Sequence, residues 1–363
     1  MIMSIGKVIP RRLVLALLLV IAPQLALAEP PRTIRFAVSS AGVGNPPRIQ
    51  TGALAIAQAH RYLEQEFEKD GIEIEWVFFK GQGPAVNEAF SSGSVDFATQ
   101  GGLPSIVGRS VGLKTRAIMV TGGRSNTFLA VRPDSEIASI ADLKGRRVAF
   151  HKGTATHLAV NRILENNGLA ERDLRIVNLE PQTALAAFQS DDLDGLFGGL
   201  TLFRLRDLGL ARVVYTSKGD VDAMQQSHVL VHEPFAEQYP DIVQRVVKAI
   251  VRAAHWGSLE ENRDEVIGLW AIGSVTEQVV REDLDDEPLS LRLTPLFDEL
   301  AVVSDQQSID DSVRYRLIRR GFLLDDWKDD RFLDAALKEL GLEDFWPTHD
   351  AKGNLITGVA SNP

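Results

Sequence analysis

The stretch VAFHKGTATHLAVNRILENNGL, Val148–Leu169, contains a strand, a glycine turn and a helix in direct succession. Its opening VAF is a short apolar run that is typical of a buried strand. The next apolar residues recur at the spacing that places side chains on one face of a helix: Ala155, Leu158, Ala159 and Ile163. Gly153 lies between the two segments. This order indicates one unit of an α/β sheet.

The same alternation extends in both directions and restarts near Asn126. The first series has strand patterns in TIRFAVS, IEIEWVFF, SVDFATQ and KTRAIMVT, and the second has them in NTFLAV, RRVAF, LRIVNL, LDGLFGG and ARVVYTS. A single amphipathic helix is predicted over 51–71, ending at Gly71. Strands that alternate with helices favour mostly parallel sheets, so we expect two α/β units in succession.

The remainder after Gly219 reads as mostly helical. A helical section of this kind is expected to pack back onto an earlier unit. The final segment, 341–363, is predicted to be a loosely held tail in which Phe345 and Trp346 are the only plausible anchors.

The first 28 residues have the pattern of a secretory signal peptide. A basic start with Lys7, Arg11 and Arg12 precedes the apolar run LVLALLLVIA and an ALA cleavage site before Glu29. The Arg11–Arg12 pair leaves both the general and the twin-arginine export routes open. The chain has no cysteine, so it cannot carry the lipid of a lipoprotein. We therefore expect a soluble protein that is exported to the periplasm.

The charge balance makes nucleic acid an unfavourable partner. The chain has 39 basic and 49 acidic residues, a formal net charge of −10. Binding to nucleic acid needs a basic face, which this composition argues against. An anionic small ligand is compatible with it, because backbone N–H groups and one or two local charges can hold an anion.

The segment HKGTATH has two interpretations. The first N–H groups of a helix have no intrahelical partners, and the helix dipole adds positive potential there, so the turn suits a sulfonate, sulfate, phosphate or carboxylate. The hydroxyls of Thr154 and Thr156 are candidate donors, and the nearby candidate charges are His151, Lys152 and His157. The alternative is an N-cap threonine that only starts a helix. The segment alone does not separate the two.

Three more glycine turns follow predicted strands, in QGGLPS, DGLFGGLTLF and AVSSAGVGNPPRIQTG. Four such turns at strand ends favour a cleft between two lobes. His228 and His232 lie four apart, but no further ligand spacing supports zinc, so no metal and no cofactor are predicted. No nucleophile or metalloprotease motif is present, which gives no indication of an enzyme.

Four segments, IRFAV, GSVDFATQGGLP, IASIADLKGRRVAFHKGTATH and TALAAFQSDDLDGLF, occur in an order that resembles a known family. The chain is similar to the periplasmic substrate-binding proteins of ABC importers for aliphatic sulfonates, taurine and nitrate, and also to thiamine-precursor binders. The resemblance is good over about 33–219 and loose beyond.

The resemblance implies a type II periplasmic-binding-protein fold, in which two α/β lobes are joined by two crossover strands around a ligand cleft. It places 30–122 and 225–340 in the first lobe and 123–224 in the second. It implies these ligand-binding residues: Ser39, Ser40, Gln100, Gly101, Gly102, Leu103, Gly153, Thr154, Ala155, Thr156, Gly199 and Thr201. The implied partners are a small organic anion, an ABC permease and its ATPase, with the binding protein itself a monomer.

One departure from the family concerns the ligand's organic part. Sulfonate binders commonly carry an aromatic segment where this chain reads GGLTLF. A sulfonate, a sulfate ester or an aromatic sulfonate all remain open. The alternatives to transport are a ligand-sensing receptor partner, a thiamine-precursor binder, or an enzyme of the precursor-forming type, which is associated with a cysteine-rich motif that is absent here.

Overall fold

The structure is a computed structural model that describes residues 29–220, 223, 225–285 and 287–357. The predicted signal peptide lies outside these residues. The strands, in chain order, are β1 (Thr33–Val38), β2 (Glu73–Phe78), β3 (Phe97–Gly101), β4 (Thr115–Ser125), β5 (Phe128–Val131), β6 (Arg147–Phe150), β7 (Arg175–Asn178), β8 (Gly195–Gly198), β9 (Arg212–Thr216), β10 (Gln225–His232), β11 (Thr348–His349) and β12 (Leu355–Thr357).

The α-helices, in chain order, are α1 (Ala53–Ala59), α2 (Tyr62–Phe67), α3 (Gln82–Ser91), α4 (Gly102–Ser110), α5 (Ala155–Asn166), α6 (Pro181–Gln189), α7 (Leu202–Asp207), α8 (Glu233–Gln238), α9 (Pro240–Ser258), α10 (Arg263–Trp270), α11 (Glu277–Leu284), α12 (Leu289–Arg292), α13 (Glu299–Arg314) and α14 (Arg331–Leu340). Among the described residues, no helix is long and apolar enough to cross a bilayer.

Two five-stranded sheets form the framework. The first has the order β2-β1-β3-β10-β4 and the second the order β7-β6-β8-β5-β9. In each, three strands run parallel and the last two are antiparallel to their neighbours. The fold is therefore the two-lobed α/β architecture expected from the alternating pattern. Parallel strands of this kind are buried on both faces by helices.

The chain passes between the sheets twice, and the two passages are joined by hydrogen bonds. Ser125 ends β4 and pairs with Gln225 at the start of β10. Next to them, the Thr127 N–H donates to Ser217 Oγ at 2.8 Å, and Gln225 Nε2 donates to Thr127 Oγ1 at 2.7 Å. These contacts tie the two connecting segments to each other at the base of the cleft.

The helical C-terminal part packs on the first sheet. Helix α9 has the longest apolar face, and it contacts α1, α2 and α14. Trp327, fully buried, extends the core on the other face of the first sheet, with Phe90 and Ile106. Helix α13 also reaches the second lobe, because it contacts α5.

The prediction of a single helix over 51–71 is wrong. Arg61 adopts a left-handed conformation with φ of 58°, which separates α1 from α2. The break is stabilised by tertiary packing, since His60 lies edge-on to Trp256 at 4.5 Å and Arg252 lies over Tyr62 at 5.4 Å. All these side chains are compatible with a helix, so the sequence pattern alone did not reveal the break.

The described part of the predicted tail is anchored at more points than Phe345 and Trp346. Trp346 is buried, and its Nε1 donates to Ser258 Oγ at 3.0 Å. Beyond it, the His349 N–H donates to Asp298 Oδ2 at 2.9 Å, at the N-terminus of α13. Strands β11 and β12 then form a small hairpin.

Candidate functional site

A cavity of about 600 Å³ lies between the two sheets, at the carboxyl ends of β1, β3, β6 and β8. This is the edge at which open α/β sheets bind ligands, because the loops and helix starts that follow the strands converge there. Both lobes contribute to its lining, and Thr121 and Ser227, from the paired strands β4 and β10, lie at its base. We call it the main cavity.

The first lobe contributes two segments to the main cavity. Ser39 and Ser40 line it directly after β1. The loop continues to 48–52, which lies ahead of α1, and this loop is closed by backbone hydrogen bonds between Val43 and Arg48 of 2.9 and 3.0 Å. Arg48 is half-buried, and its guanidinium makes no hydrogen bond or ion pair with another described residue. The cation is therefore available to a bound anion.

The second lobe contributes the start of α5. Thr154 is the N-cap residue, with extended φ and ψ, and Thr156 lies in the first turn. Both line the main cavity. The Thr154 hydroxyl donates to the His151 carbonyl at 2.7 Å, so its proton is already committed. Within the described part of the chain, the Thr156 hydroxyl has no such partner, which makes it the better candidate donor to a ligand.

A partly buried network holds the turn before α5 in place. The Gly153 N–H donates to His157 Nδ1 at 3.1 Å, so the opposite ring nitrogen carries the proton that faces Glu171. Lys152 and Asn161 also donate to Glu171, at 2.6 and 3.0 Å. Burial raises the pKa of Glu171, but these hydrogen bonds outweigh it and lower the pKa to about 2. The carboxylate stays ionised and fixes the tautomer of His157.

The charged residues on the main cavity are mostly basic. Arg48 and Lys80 line it, against one carboxylate, Glu180; Arg48 is half-buried, and Lys80 and Glu180 are both exposed. Burial lowers the pKa of His151, a shift that Glu180 partly opposes. His151 Nδ1 lies 3.1 Å from Gln82 Oε1, a contact between the two lobes. The cavity therefore has a local excess of positive charge in a chain whose net charge is −10.

Of the twelve residues that the sequence suggested for ligand binding, half line the main cavity. These six are Ser39, Ser40, Thr154, Thr156, Gly199 and Thr201. The structure does not place the other six on this lining: Gln100, Gly101, Gly102, Leu103, Gly153 and Ala155.

Gln100 illustrates why a polar residue at a strand end need not face the cleft. Its side chain is fully buried, and its Nε2 donates to the Gly83 carbonyl at 2.8 Å and to Asn87 Oδ1 at 2.9 Å. Its Oε1 accepts from Ser105. The amide joins α3 to α4, and its hydrogen bonds leave little for a ligand.

Gly101 has a packing role between the lobes. A Cβ atom at this position would lie 2.7 Å from Cβ of Ala155, which is closer than real Cβ atoms approach. The absent side chain therefore lets α4 and α5 touch. Gly102, Leu103 and Ala155 line a separate cavity of about 20 Å³ behind this contact. Gly153 lies on an outer groove next to Pro84.

Sequence reasoning missed several residues of the lining. They are Arg48, Gln50, Thr51 and Gly52 before α1, Lys80 and Gln82 after β2, and Thr99, Thr121 and Ser227 on strands. The loop AVSSAGVGNPPRIQTG did indicate the first group, but only its two serines were selected. Thr121 and Ser227 face each other in the β4–β10 register, which only the strand pairing reveals.

Ionic contacts join the lobes on two sides of the cleft. On one side, Arg162 of α5 donates to Asp311 at 2.7 Å and to Ser308 at 3.1 Å, and all three are buried. On the other, Arg206 of α7 pairs with Glu282 of α11 at 2.5 Å. These contacts stabilise the relative position of the two lobes in this structure.

His228 and His232, which lie four residues apart in the sequence, do not form a metal centre with other described residues. His228 is fully buried, and its Nε2 lies 2.8 Å from Asp305 Oδ2. Burial lowers the pKa of His232, at the far end of the same strand. Within the described ranges, no group of three His, Cys, Asp or Glu residues is arranged to hold a metal ion.

Comparison with known proteins agrees with this architecture. Residues 51–258 match the NMT1/THI5-like family, which is more than half of the chain. The chain belongs to this family. The periplasmic sulfonate-binding protein SsuA from Methylobacillus flagellatus KT is 30% identical, with a TM-score of 0.75, over 88% of this chain and 97% of that one.

Two further structures define the range of the likeness. The alkanesulfonate-binding protein SsuA from Xanthomonas axonopodis pv. citri, bound to MOPS, is 25% identical with a TM-score of 0.68, over 83% of this chain and 99% of that one. A desulfurization enzyme, DSZB, is 21% identical with a TM-score of 0.65, over 85% of this chain and 100% of that one. The second likeness shows the fold alone.

Proposed function

We propose that this family member is an extracytoplasmic solute-binding protein that captures a small organic anion, a sulfonate or a sulfate ester, in the main cavity. The observation that carries the proposal is that the start of α5 and Arg48 of the first lobe both line the same cavity. N–H groups at a helix start and a guanidinium without an internal partner together suit a singly charged anionic head.

The proposed ligand contacts come from both lobes. Arg48 and Ser39 bind from the first lobe, the N–H groups of the first α5 turn and the Thr156 hydroxyl bind from the second, and Thr201 lies on the wall that receives the organic part. Binding across the cleft stabilises the closed arrangement, because the ligand contacts both lobes only in that state. The relatives named above, which bind sulfonates, support this ligand class.

The proposal extends to delivery and location. We infer that the mature protein is a periplasmic monomer without a lipid anchor, and that it delivers its ligand to an ABC permease with its ATPase. The match to periplasmic sulfonate-binding proteins supports the delivery role. The alternatives on the same fold are a ligand-sensing receptor partner and a thiamine-precursor binder.

An enzymatic role is not proposed, although one structural neighbour is a desulfurization enzyme. The chain has no cysteine, so any chemistry that depends on a thiol is excluded. The charged groups of the main cavity, Arg48, Lys80 and Glu180, are not paired with one another. That pattern suits binding better than proton transfer.

A thermal-shift screen tests the proposed function. The purified chain is heated with sulfonates, sulfate esters, nitrate, carboxylates and thiamine precursors. A ligand at a hundred times its Kd stabilises the native state by about 2.7 kcal/mol, a clear rise in Tm. We expect sulfonates or sulfate esters to give the largest rise, and a rise only with thiamine precursors would refute the proposal.

Matched arginine variants locate the effect. Arg48→Gln removes the cation from the cavity and should reduce the sulfonate shift. Arg319→Gln makes the same change at an exposed residue away from the cavity and should leave the shift intact. Equal shifts in both variants would show that the anion binds elsewhere.

A further inference from the structure

A second cavity of about 210 Å³ adjoins the main cavity. The two share the lining residues 50–52, Ser125 and 199–200. Gly199 lies at this junction, and a Cβ atom there would meet no heavy atom within 4 Å. The space next to Gly199 is therefore open. We call the second cavity the side cavity.

The side cavity has the size and the surface to receive an apolar group. Its wall includes Phe128, Trp270 and Val280, all nearly fully buried, together with Leu200. Its volume exceeds the roughly 150 Å³ of an apolar protein cavity that admits benzene. A ligand body that enters it leaves water and contacts both aromatic and aliphatic side chains.

The two charged residues that line the side cavity, Arg292 and Asp283, form an ion pair. Arg292 Nη1 donates to Asp283 at 3.0 Å, and Nη2 donates to Glu287 at 2.9 Å. Asp283 also accepts from Asn126 Nδ2 at 2.8 Å. Two carboxylates on one guanidinium leave a net negative charge, so a second anionic group on the ligand is disfavoured there.

Two buried donors at the side cavity remain unused. Trp270 and Arg292 are 3% and 7% exposed, and neither Trp270 Nε1 nor Arg292 Nε has a hydrogen-bond partner among the described residues. Both atoms are closed off from the cavity surface, so an uncharged acceptor oxygen reaches one of them only when the Trp270 or Arg292 side chain turns. The bond then removes the free-energy cost of a buried donor without a partner and adds no negative charge. Both residues are absent from the lining of the main cavity.

We propose that the side cavity is a subsite for the uncharged tail of the ligand, a largely apolar chain or ring that carries one acceptor oxygen such as an ether, carbonyl or hydroxyl. The anionic head binds in the main cavity, so this inference rests on the proposed function. It assigns specificity for larger organic anions to Trp270, Val280 and Arg292.

Calorimetric titration with an alkanesulfonate series tests the subsite. Methanesulfonate carries the head alone, hexanesulfonate adds an apolar tail, and 4-methoxybutanesulfonate has the same chain length with one ether oxygen. Each methylene that leaves water should tighten the Kd about threefold to fourfold. The ether should bind the wild-type protein at least as tightly as hexanesulfonate, although an ether is better solvated in water.

Two variants assign the effect to the side cavity. Val280→Phe fills it and should remove most of the gain from chain length, while the Kd of methanesulfonate stays within about twofold. Trp270→Phe keeps an aromatic ring and removes Nε1–H, so it should weaken the ether ligand severalfold relative to hexanesulfonate. If circular dichroism shows that Val280→Phe does not fold, the Trp270→Phe comparison decides.

The outcomes separate the two proposals. If no sulfonate binds, the proposed function fails and the subsite with it. If methanesulfonate binds and longer chains bind no tighter, the subsite alone is refuted. A gain from chain length that persists in folded Val280→Phe, or an ether preference that Trp270→Phe leaves unchanged, also refutes it, because the tail then lies elsewhere.

Discussion

The role of the α5 start in binding is tested by Thr156→Val. The substitution keeps the branched shape of the side chain and removes the hydroxyl, which has no hydrogen-bond partner in the described part of the chain. A hydrogen bond to a charged group contributes about 1.5–3 kcal/mol net. Thr156 is half-buried, so water replaces part of this and the lower end applies. Since about 1.4 kcal/mol is a tenfold change, we expect the Kd to rise about tenfold.

The measurement is calorimetric titration with the sulfonate that gives the largest thermal shift. Thr183→Val is the matched control, because Thr183 is exposed in the first turn of α6 and is absent from the cavity lining. Both variants should unfold within about 0.5 kcal/mol of the wild type, as surface changes usually do. Binding should weaken but persist in Thr156→Val, since the N–H groups of the α5 start remain.

One result would falsify the reasoning. If Thr156→Val binds within twofold of the wild type and keeps its circular dichroism spectrum, the α5 start does not hold the anion through this hydroxyl. Thr154→Ala is less diagnostic, because its hydroxyl donates to the His151 carbonyl and its loss changes the turn itself. Gly153→Val is also a poor test, because the φ of 79° strains a branched residue by roughly 1–2 kcal/mol.

Three further changes test the network, the contact between the lobes and the tail. The pKa of Glu171 is lowered from its ordinary value of 4.5, so the ionised carboxylate stabilises the fold above pH 4.5, and this stability is lost as the pH falls toward 2. Glu171→Gln should therefore lower the free energy of unfolding by about 1–3 kcal/mol at pH 7 and make that free energy less dependent on pH in the acid range, measured by urea titrations. An acid dependence equal to that of the wild type would contradict this role. Arg162→Met breaks the buried ion pair with Asp311 that joins the two lobes. We therefore expect the lobes to separate, with a larger radius of gyration by X-ray scattering and weaker ligand binding. Scattering profiles identical to those of the wild type would show that the pair does not favour closure. Trp346→Ala should lower the free energy of unfolding by about 3–5 kcal/mol, measured by denaturant melts, and a loss below 1 kcal/mol would mean that the segment is not part of the core.

The order of the strands and helices could be predicted from the sequence because it depends on the local spacing of apolar residues. The restart near Asn126 falls in the short gap between β4 and β5, where the chain leaves the first sheet for the second. The start of α5 was equally visible, since a buried strand, Gly153 and an apolar helical face follow in direct order. Such features depend only on residues that are close together in the sequence.

The direction of side chains at the strand ends was not accessible in the same way. Gln100 lies at the end of β3 and Ser39 directly follows β1, yet one is buried between helices and the other lines the cavity. Gln100 is directed by residues 13 and 17 positions away, and Arg48 reaches the cavity through a loop closed on Val43. These contacts form only after the helices pack, so no local pattern predicts them.

The acidic composition and the proposed anionic ligand are compatible because electrostatic interactions at this site are local. Charges farther than about 8 Å apart are largely screened at physiological ionic strength, so carboxylates on remote faces contribute little at the main cavity. Within it, Arg48 and Lys80 face a single exposed carboxylate, and the first turn of α5 adds oriented N–H groups that carry no formal charge. Backbone donors of this kind do not enter a charge count, which is why a net charge of −10 argues against nucleic acid as a partner and yet permits a small anion.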